Sequence, residues 1–322
     1  FAILICARNE ESVIGDLLDS IDLQTYPKKH YKVFVMADNC EDSTAKIAER
    51  KDAIVYVRKN KTQIGKGYAL QELLAKIGYD YGEVFDGFLV FDADNVLKED
   101  YLEQINLSYC QDNQIIASHL SSKNFSSGWI SAGSSLFLYY KNRFLNYPRY
   151  LSGLGCAING TGFFFSRDIL KSWPYHTLTE DIEFTADQTC RHHKIAYCDK
   201  AIVYDEQPVC FRQSFDQRSR WAKGYLQVIS RYSLKLLKGI LEGSFSCFDI
   251  LSTLLSAYSF SLLSLFLYLM VFLSLLISKA DLRPFLQAMF TGLIKAYLYA
   301  FLLALATVIK EWDQIEADTA HK

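Results

Sequence analysis

The chain has no C-x-x-C pair, although it holds eight cysteines. That spacing marks many structural zinc sites, so a zinc module is set aside. The thiols at Cys6, Cys40, Cys110, Cys156, Cys190, Cys198, Cys210 and Cys247 are scattered, a pattern that suits a reducing compartment. There is no basic excess: 34 Lys and Arg stand against 36 Asp and Glu. This argues against a dedicated nucleic-acid binder. Gly65-Lys66-Gly67 lacks the G-x-x-x-x-G-K-[ST] frame of a P-loop, and Gly153-Leu154-Gly155 lacks the spacing of a dinucleotide fingerprint. No Met opens the chain, yet residues 1–6 already read as a buried strand. The N-terminus is therefore expected to be trimmed, with any earlier signal or membrane helix outside it. Residues 250–278 hold no charge at all.

What is present is a chain of 322 residues, half apolar and 15% aromatic. That is enough for one large domain with an appendage, or for two domains. Residues 1–6, 31–36, 53–58 and 88–91 read as strands, alternating with helical patterns at 10–23, 43–51 and 67–77. Further strands are expected at 163–165 and 195–204, and a helix at 180–189. Residues 129–150 read as an aromatic helix pair, and 214–237 as a basic amphipathic helix or helix pair. Strands alternating with helices predict an α/β fold: a mostly parallel sheet with helices on both faces.

The uncharged run at 250–278 exceeds the roughly 20 residues that span a bilayer. A second apolar run, 284–309, is interrupted only by Lys295, and a short connection at 279–283 would join the two as a transmembrane hairpin. Arg231, Lys235 and Lys238 precede the first run, which puts the large soluble part on the cytoplasmic side. The expected organisation is a catalytic domain over 1–210, amphipathic interface helices over 211–245, and a hairpin with a cytoplasmic tail over 246–322.

In parallel α/β sheets ligands sit beyond the carboxyl ends of the strands. Ala7-Arg8-Asn9-Glu10, Asp38 and Asp92 fall at three such ends. Strand alternation would point Asp92 and Asp94 to one side, across small Ala93, and paired carboxylates suit a hard divalent cation. The plainer reading is a solvated acidic loop. Asp38 could accept hydrogen bonds from a base or ribose, or simply cap the helix near Ser43. Lys66 could offer its charge to a diphosphate, or be a solvated lysine where a helix begins. Asp181, beside Glu180 at a helix start, suits either a general base or a helix-capping acid. Gln217, Arg220 and Trp221 share one helical face. There a guanidinium can fork onto a diphosphate and an indole can stack on a sugar. A membrane-surface helix shows the same pattern.

Taken in order, Asp38, Asp92-Ala93-Asp94, Thr179-Glu180-Asp181 and Gln217-Arg218-Ser219-Arg220-Trp221 resemble glycosyltransferase family 2. The resemblance is to its membrane-integrated branch, with cellulose, chitin and hyaluronan synthases, and runs from Ile3 to about Trp221. It implies a GT-A, Rossmann-like catalytic domain, a nucleotide sugar that is usually uridine-linked, and a Mg or Mn ion. On this chain it implies a nucleotide pocket lined by Ala7, Arg8, Asn9 and Glu10, with Asp38 at the uridine. Asp92 would touch the nucleotide and Asp94 the metal. Asp181 would be the base, beside Glu180, and Gln217, Arg220 and Trp221 would bind diphosphate and the acceptor end. Asn159-Gly160-Thr161-Gly162 resembles the segment beside the acceptor. Such synthases carry more than two membrane helices, so a chain trimmed at both ends or a smaller branch is expected.

The expected function is a membrane-bound inverting glycosyltransferase, multi-pass in the cell (inner) membrane with its catalytic domain in the cytoplasm. Its partners would be a UDP-sugar donor, a saccharide or lipid-linked acceptor and membrane lipid, with no nucleic acid. A non-catalytic membrane scaffold with a degenerate transferase domain is the alternative from another class.

Overall fold

The computed structural model describes residues 1–278 and 281–315, without the side chains of 257–261. The strands are β1 (Ala2–Ala7), β2 (Lys32–Asp38), β3 (Ile54–Arg58), β4 (Gly87–Asp92), β5 (Val96–Leu97), β6 (Ile115–Ser122), β7 (Phe163–Ser166) and β8 (Ile195–Asp205). The helices are α1 (Ile14–Asp22), α2 (Thr44–Arg50), α3 (Lys66–Tyr81), α4 (Tyr101–Tyr109), α5 (Trp129–Tyr140), α6 (Tyr147–Leu151), α7 (Glu180–Cys190), α8 (Phe211–Leu241), α9 (Phe245–Ile277) and α10 (Arg283–Lys310).

One sheet of order β3-β2-β1-β4-β7-β6-β8-β5 organises residues 2–205. The first four strands pair in parallel, as their alternation with helices requires. The second half is mixed: β7 runs antiparallel to both β4 and β6, and β5 runs antiparallel to β8. The sheet is thus less uniformly parallel than expected, because β7 enters from the turn at Gly160–Gly162 instead of from a crossover helix.

Both faces are covered. Ile3, Ile5, Leu89 and Phe91 pack with Leu17, Leu18 and Leu102 on one side. Ala2, Leu4 and Val90 pack with Leu70, Leu73, Trp173 and Phe184 on the other. Successive residues of β1 and β4 point to opposite cores, which is why these strands read as unbroken apolar runs.

The remaining elements differ from the sequence reading in detail. Strand β6 was not foreseen; it is buried throughout, with Ser118, His119, Ser121 and Ser122 inside. The expected pair at 129–150 is one helical run, α5 joined to α6 through a π-helical turn at Lys141–Asn146. Residues 214–237 fall in a single helix, α8, one of the two forms expected. Ser43 precedes α2 but makes no capping bond; Asp42 Oδ1 accepts from the Thr44 N–H at 3.0 Å instead.

Helix α8 turns at Gly243, whose φ of 91° suits a residue without Cβ, into α9. Val228, Tyr232 and Leu236 of α8 pack with Ile250, Leu251 and Leu254 of α9 and with Ile182 and Ala186 of α7. Further along, α9 exposes Leu262, Leu263, Phe266 and Leu269. Helix α10 is long and apolar enough to cross a membrane, and only 6% of its apolar window is buried. Lys279 and Ala280, part of the expected hairpin connection, and the tail from 316 lie outside the described residues. The far end of α10 returns to the region of α5. There Glu311 is fully buried against Arg143, and Ile315 packs on Phe125 and Tyr139.

Candidate active site

Strands β1, β2 and β4 end side by side, so the loops that follow them meet at one edge. The loop after β1 is tied to the loop after β2. Asn9, with φ of 57°, accepts from the Glu41 N–H through Oδ1 at 2.9 Å, and the Glu10 N–H donates to Thr44 Oγ1 at 2.8 Å. Ala7 is buried beneath this loop, Arg8 is exposed, and Glu10 is half-buried. Burial pushes the Glu10 carboxyl up, and the charge of Asp92 adds to the effect. Asp38 is buried and already paired: its Oδ1 accepts from Arg58 Nη1 at 2.7 Å and from Asn39 Nδ2 at 2.8 Å.

Lys66 is not a solvated lysine. Gly65, with φ of 130°, turns the chain into α3, and Gly67 lets that turn lie against the Tyr175 carbonyl. A Cβ on Gly67 would stand 2.1 Å from that oxygen. The approach carries the Lys66 ammonium to 2.6 Å from Asp92 Oδ1, 2.8 Å from the Gly160 carbonyl and 3.8 Å from Glu180 Oε1. One cation therefore joins the end of β4, the Asn159–Gly162 turn and the start of α7. Opposing carboxylates overcome burial and hold its pKa above the usual lysine range.

Asp92 ends β4, but Ala93 and Asp94 lie in a turn, so strand alternation does not orient Asp94. Asn95 closes that turn: its N–H donates to the Asp92 carbonyl at 3.2 Å, and its Oδ1 accepts from the Asp92 N–H at 3.1 Å. Thr161 Oγ1 accepts from the same Asp92 N–H at 2.9 Å. Burial, with the charge of Asp92 next, pushes the Asp94 carboxyl up to about 7. Asp205, at the end of β8, accepts from Asn95 Nδ2 and Gln207 Nε2, both at 2.8 Å. Burial and the charges of Asp94 and Asp92 drive its pKa well up.

These crowded hard-oxygen donors fit a divalent cation, which relieves such repulsion. Among the described residues no group of three His, Cys, Asp or Glu side chains forms a ready-made metal cage. Asp92 and Asp94 would thus leave positions of the shell to ligand oxygens.

Glu180 and Asp181 open α7. Burial pushes Glu180 up to about 7, against the pull of Lys66. Asp181 is buried and also raised, for the same cause. Thr179 precedes them without a capping bond, because α8 packs on it: a Cβ on Gly224 would meet Thr179 Oγ1 at 2.5 Å. Gln227 Oε1 accepts from the Leu178 N–H at 2.9 Å, and Arg231 Nη1 pairs with Glu183 Oε1 at 2.8 Å. Residues 224 and 231 thus meet 179 and 183, so α8 runs alongside α7 in the same sense. At 1.5 Å per residue, Gln217, Arg220 and Trp221 overhang the start of α7 by about 5 to 10 Å. Gln217 and Trp221 are half-buried and Arg220 is exposed.

Sequence reasoning missed Asp205 and Lys141. The expected strand at 195–204 stopped one residue short of Asp205, whose position at a strand end was the available signal. Lys141, in the π-helical turn, had none. Burial lowers its pKa to about 8, with Asp181 and Asp205 pulling the other way.

Residues 1–224 match the family described as glycosyltransferase like family 2. The chain belongs to that family. It is 28% identical over 272 residues to the β-monoglucosyldiacylglycerol synthase of Trichormus variabilis, covering 80% of this chain and 55% of that protein. It is 25% identical over 247 residues to the poly-β-1,6-N-acetyl-D-glucosamine synthase of Staphylococcus aureus, covering 73% and 57%. The chain thus spans little more than half the length of these curated relatives. Its fold resembles a mannosyltransferase from Pyrobaculum calidifontis in complex with GDP-Man and Mn2+, with TM-score 0.59, 16% identity, and 98% and 87% of the two chains covered. It also resembles S. aureus TarS in complex with UDP-GlcNAc, with TM-score 0.55, 18% identity, and 79% and 71% covered. The GT-A fold expected from the sequence stands.

Proposed function

We propose that this protein is a membrane-bound inverting glycosyltransferase. It moves a hexosyl or N-acetylhexosaminyl group from a UDP-sugar to a saccharide or lipid-linked acceptor. The observation that carries this reading is the Lys66 ammonium, which gathers Asp92, the Gly160 carbonyl and Glu180 around one cation. The UDP-GlcNAc held by TarS and the β-linked products in the names of both curated relatives support the donor class and the stereochemistry.

The loop at Ala7–Glu10 and Asp38 hold the nucleoside, with Arg58 fixing the Asp38 carboxylate. Asp92 and Asp94 would hold Mg or Mn, which when bound would supply Lewis-acid stabilisation of the diphosphate. Lys66 and Arg220 bring cationic donors to the same oxygens. Asp181 takes the proton of the acceptor hydroxyl. The hydroxyl oxygen then attacks the anomeric carbon, and the bond to the diphosphate breaks with its electron pair leaving on UDP. One displacement turns an α-linked donor into a β-glycoside. Trp221 and Gln217 line the acceptor side. Helices α9 and α10 form the membrane hairpin, and the basic residues before α9 keep the catalytic half at the cytoplasmic face of the cell membrane.

The test is a screen of UDP-sugars with Mg or Mn on the purified chain, scoring released UDP and the linkage of the product. Asp181→Asn retains UDP binding and loses transfer by roughly 100-fold or more. Absence of UDP release with every donor refutes the reading, and an α-linked product refutes the inversion.

A further inference from the structure

The turn that carries Asp94 is held from outside as well as from within. Asn95 is fully buried at its centre. Its Oδ1 accepts from the Asp92 N–H at 3.1 Å, and its Nδ2 donates to Asp205 Oδ1 at 2.8 Å and to Asp94 Oδ1 at 3.4 Å. The outer hold is Lys123. Its Nζ donates to the main-chain carbonyl of Asp94 at 2.9 Å and stands 3.9 Å from Glu206 Oε2.

The base of that lysine is fixed. Lys123 follows β6 directly, and its N–H donates to the Asp205 carbonyl at 3.0 Å. The next residue, Asn124, is bonded to the main chain of Gln207 in both directions, at 2.8 and 2.9 Å. The paired ends of β6 and β8 thus hold the backbone from which Lys123 reaches. Its side chain is only 20% exposed, so most of the stem lies out of water.

Two lysines therefore hold the acidic turn, and they do so differently. Lys66 binds a carboxylate, Asp92 Oδ1, at 2.6 Å, where it competes with any cation for that oxygen. Lys123 binds a peptide oxygen. A charge-assisted hydrogen bond there fixes the plane of the 94–95 peptide, and with it the direction in which the Asp94 side chain leaves the backbone. No carboxylate lone pair is occupied in doing so. An ammonium placed only to neutralise crowded acids would sit on their carboxylates. Among the described residues, the one carboxylate within 4.0 Å of Lys123 Nζ is that of Glu206.

We propose that Lys123 is a positioning residue that aims the Asp94 carboxylate at the divalent cation it would share with Asp92. This rests on the reading of Asp94 as a metal ligand. Groups that orient a ligand without touching the metal typically change metal affinity by about 10- to 100-fold when removed. The sign of the change separates this role from a purely electrostatic one. Removing an ammonium near a bound cation relieves repulsion and tightens binding, whereas removing the group that aims the ligand loosens it.

The experiment titrates Mn against the full chain in detergent with saturating UDP, and reads free Mn by electron paramagnetic resonance. Lys123→Met raises the Kd for Mn by about tenfold, while UDP affinity in the presence of a chelator does not change. In UDP release the Mn concentration at half-maximal rate rises by the same factor, and kcat at saturating Mn falls by less. Lys123→Arg, which keeps the charge and an N–H donor, restores the parent Kd. Mn binding that is unchanged or tighter in Lys123→Met overturns the proposal. So does a loss in Lys123→Arg as large as that in Lys123→Met, which would mark a packing role. Lys123→Ala gives the same comparison should the Met variant fail to fold. Equal Mn affinity in Asp94→Ala and the parent would instead sink the metal reading itself, whichever way the Lys123 variants behave.

Discussion

Replacing Asp94 by Asn should abolish transfer and, with no cation present, stabilise the fold at alkaline pH. Burial and the Asp92 charge push the Asp94 carboxyl from its ordinary 3.8 up to about 7. At about 1.36 kcal/mol per unit, that shift corresponds to about 4 kcal/mol. The side chain keeps partial access to solvent, so screening reduces the figure to about 2 kcal/mol. The sign follows from linkage. An acid with a raised folded pKa keeps its proton longer in the folded state, so stability falls as pH rises from about 4 to about 7 and is level beyond. Asn does not titrate. The advantage of Asp94→Asn should be near zero below pH 4 and reach about 2 kcal/mol by pH 8. Urea unfolding of the detergent-solubilised chain with a chelator, followed by tryptophan fluorescence, reads this; Trp173 is fully buried and reports core loss. Mn with UDP should then stabilise the parent and leave the variant unchanged, which reverses their order. A variant less stable than the parent at pH 8 without metal, or one stabilised by Mn with UDP as much as the parent is, would refute the argument that these acids repel one another until a cation arrives.

Gly224→Leu should force α8 away from Thr179, which a Cβ would meet at 2.5 Å; a melting-temperature drop matching about 1–3 kcal/mol and a fall in kcat larger than the change in donor KM would be measured together. Arg58→Met should leave the buried Asp38 without its counter-ion, with only the Asn39 amide still donating to it, reducing stability by about 3 kcal/mol, with weakened UDP binding seen by calorimetry. Glu183→Ala should release the His176 and Thr177 N–H groups, both bonded to Glu183 Oε2 at 3.0 Å; the expected loss is about 3 kcal/mol by urea titration, with faster amide exchange at 176–177.

Local sequence determined the first half of the sheet and the positions of its acids. Strands β1, β2 and β4 are apolar on both faces and bounded by amphipathic helices, and a carboxylate at a strand end can be read from order alone. It also determined the apolar character of α9 and α10. Strand β6 escaped because Ser118, His119, Ser121 and Ser122 look like loop residues until their partners are known. Those partners include Tyr101 for Ser118, Asp199 for His119, and Tyr139 for Ser121 and Ser122; Ser122 also receives a bond from Ser135.

Only the tertiary structure decided which charges meet. Lys66 reaches Asp92 and Gly160 because Gly67 admits the Tyr175 carbonyl, a contact between residues more than 100 positions apart. Arg143, in the π-helical turn, meets Glu311 because the far end of α10 comes back to that turn. Burial and electrostatic partners are properties of the folded neighbourhood, and no local pattern of residues encodes them.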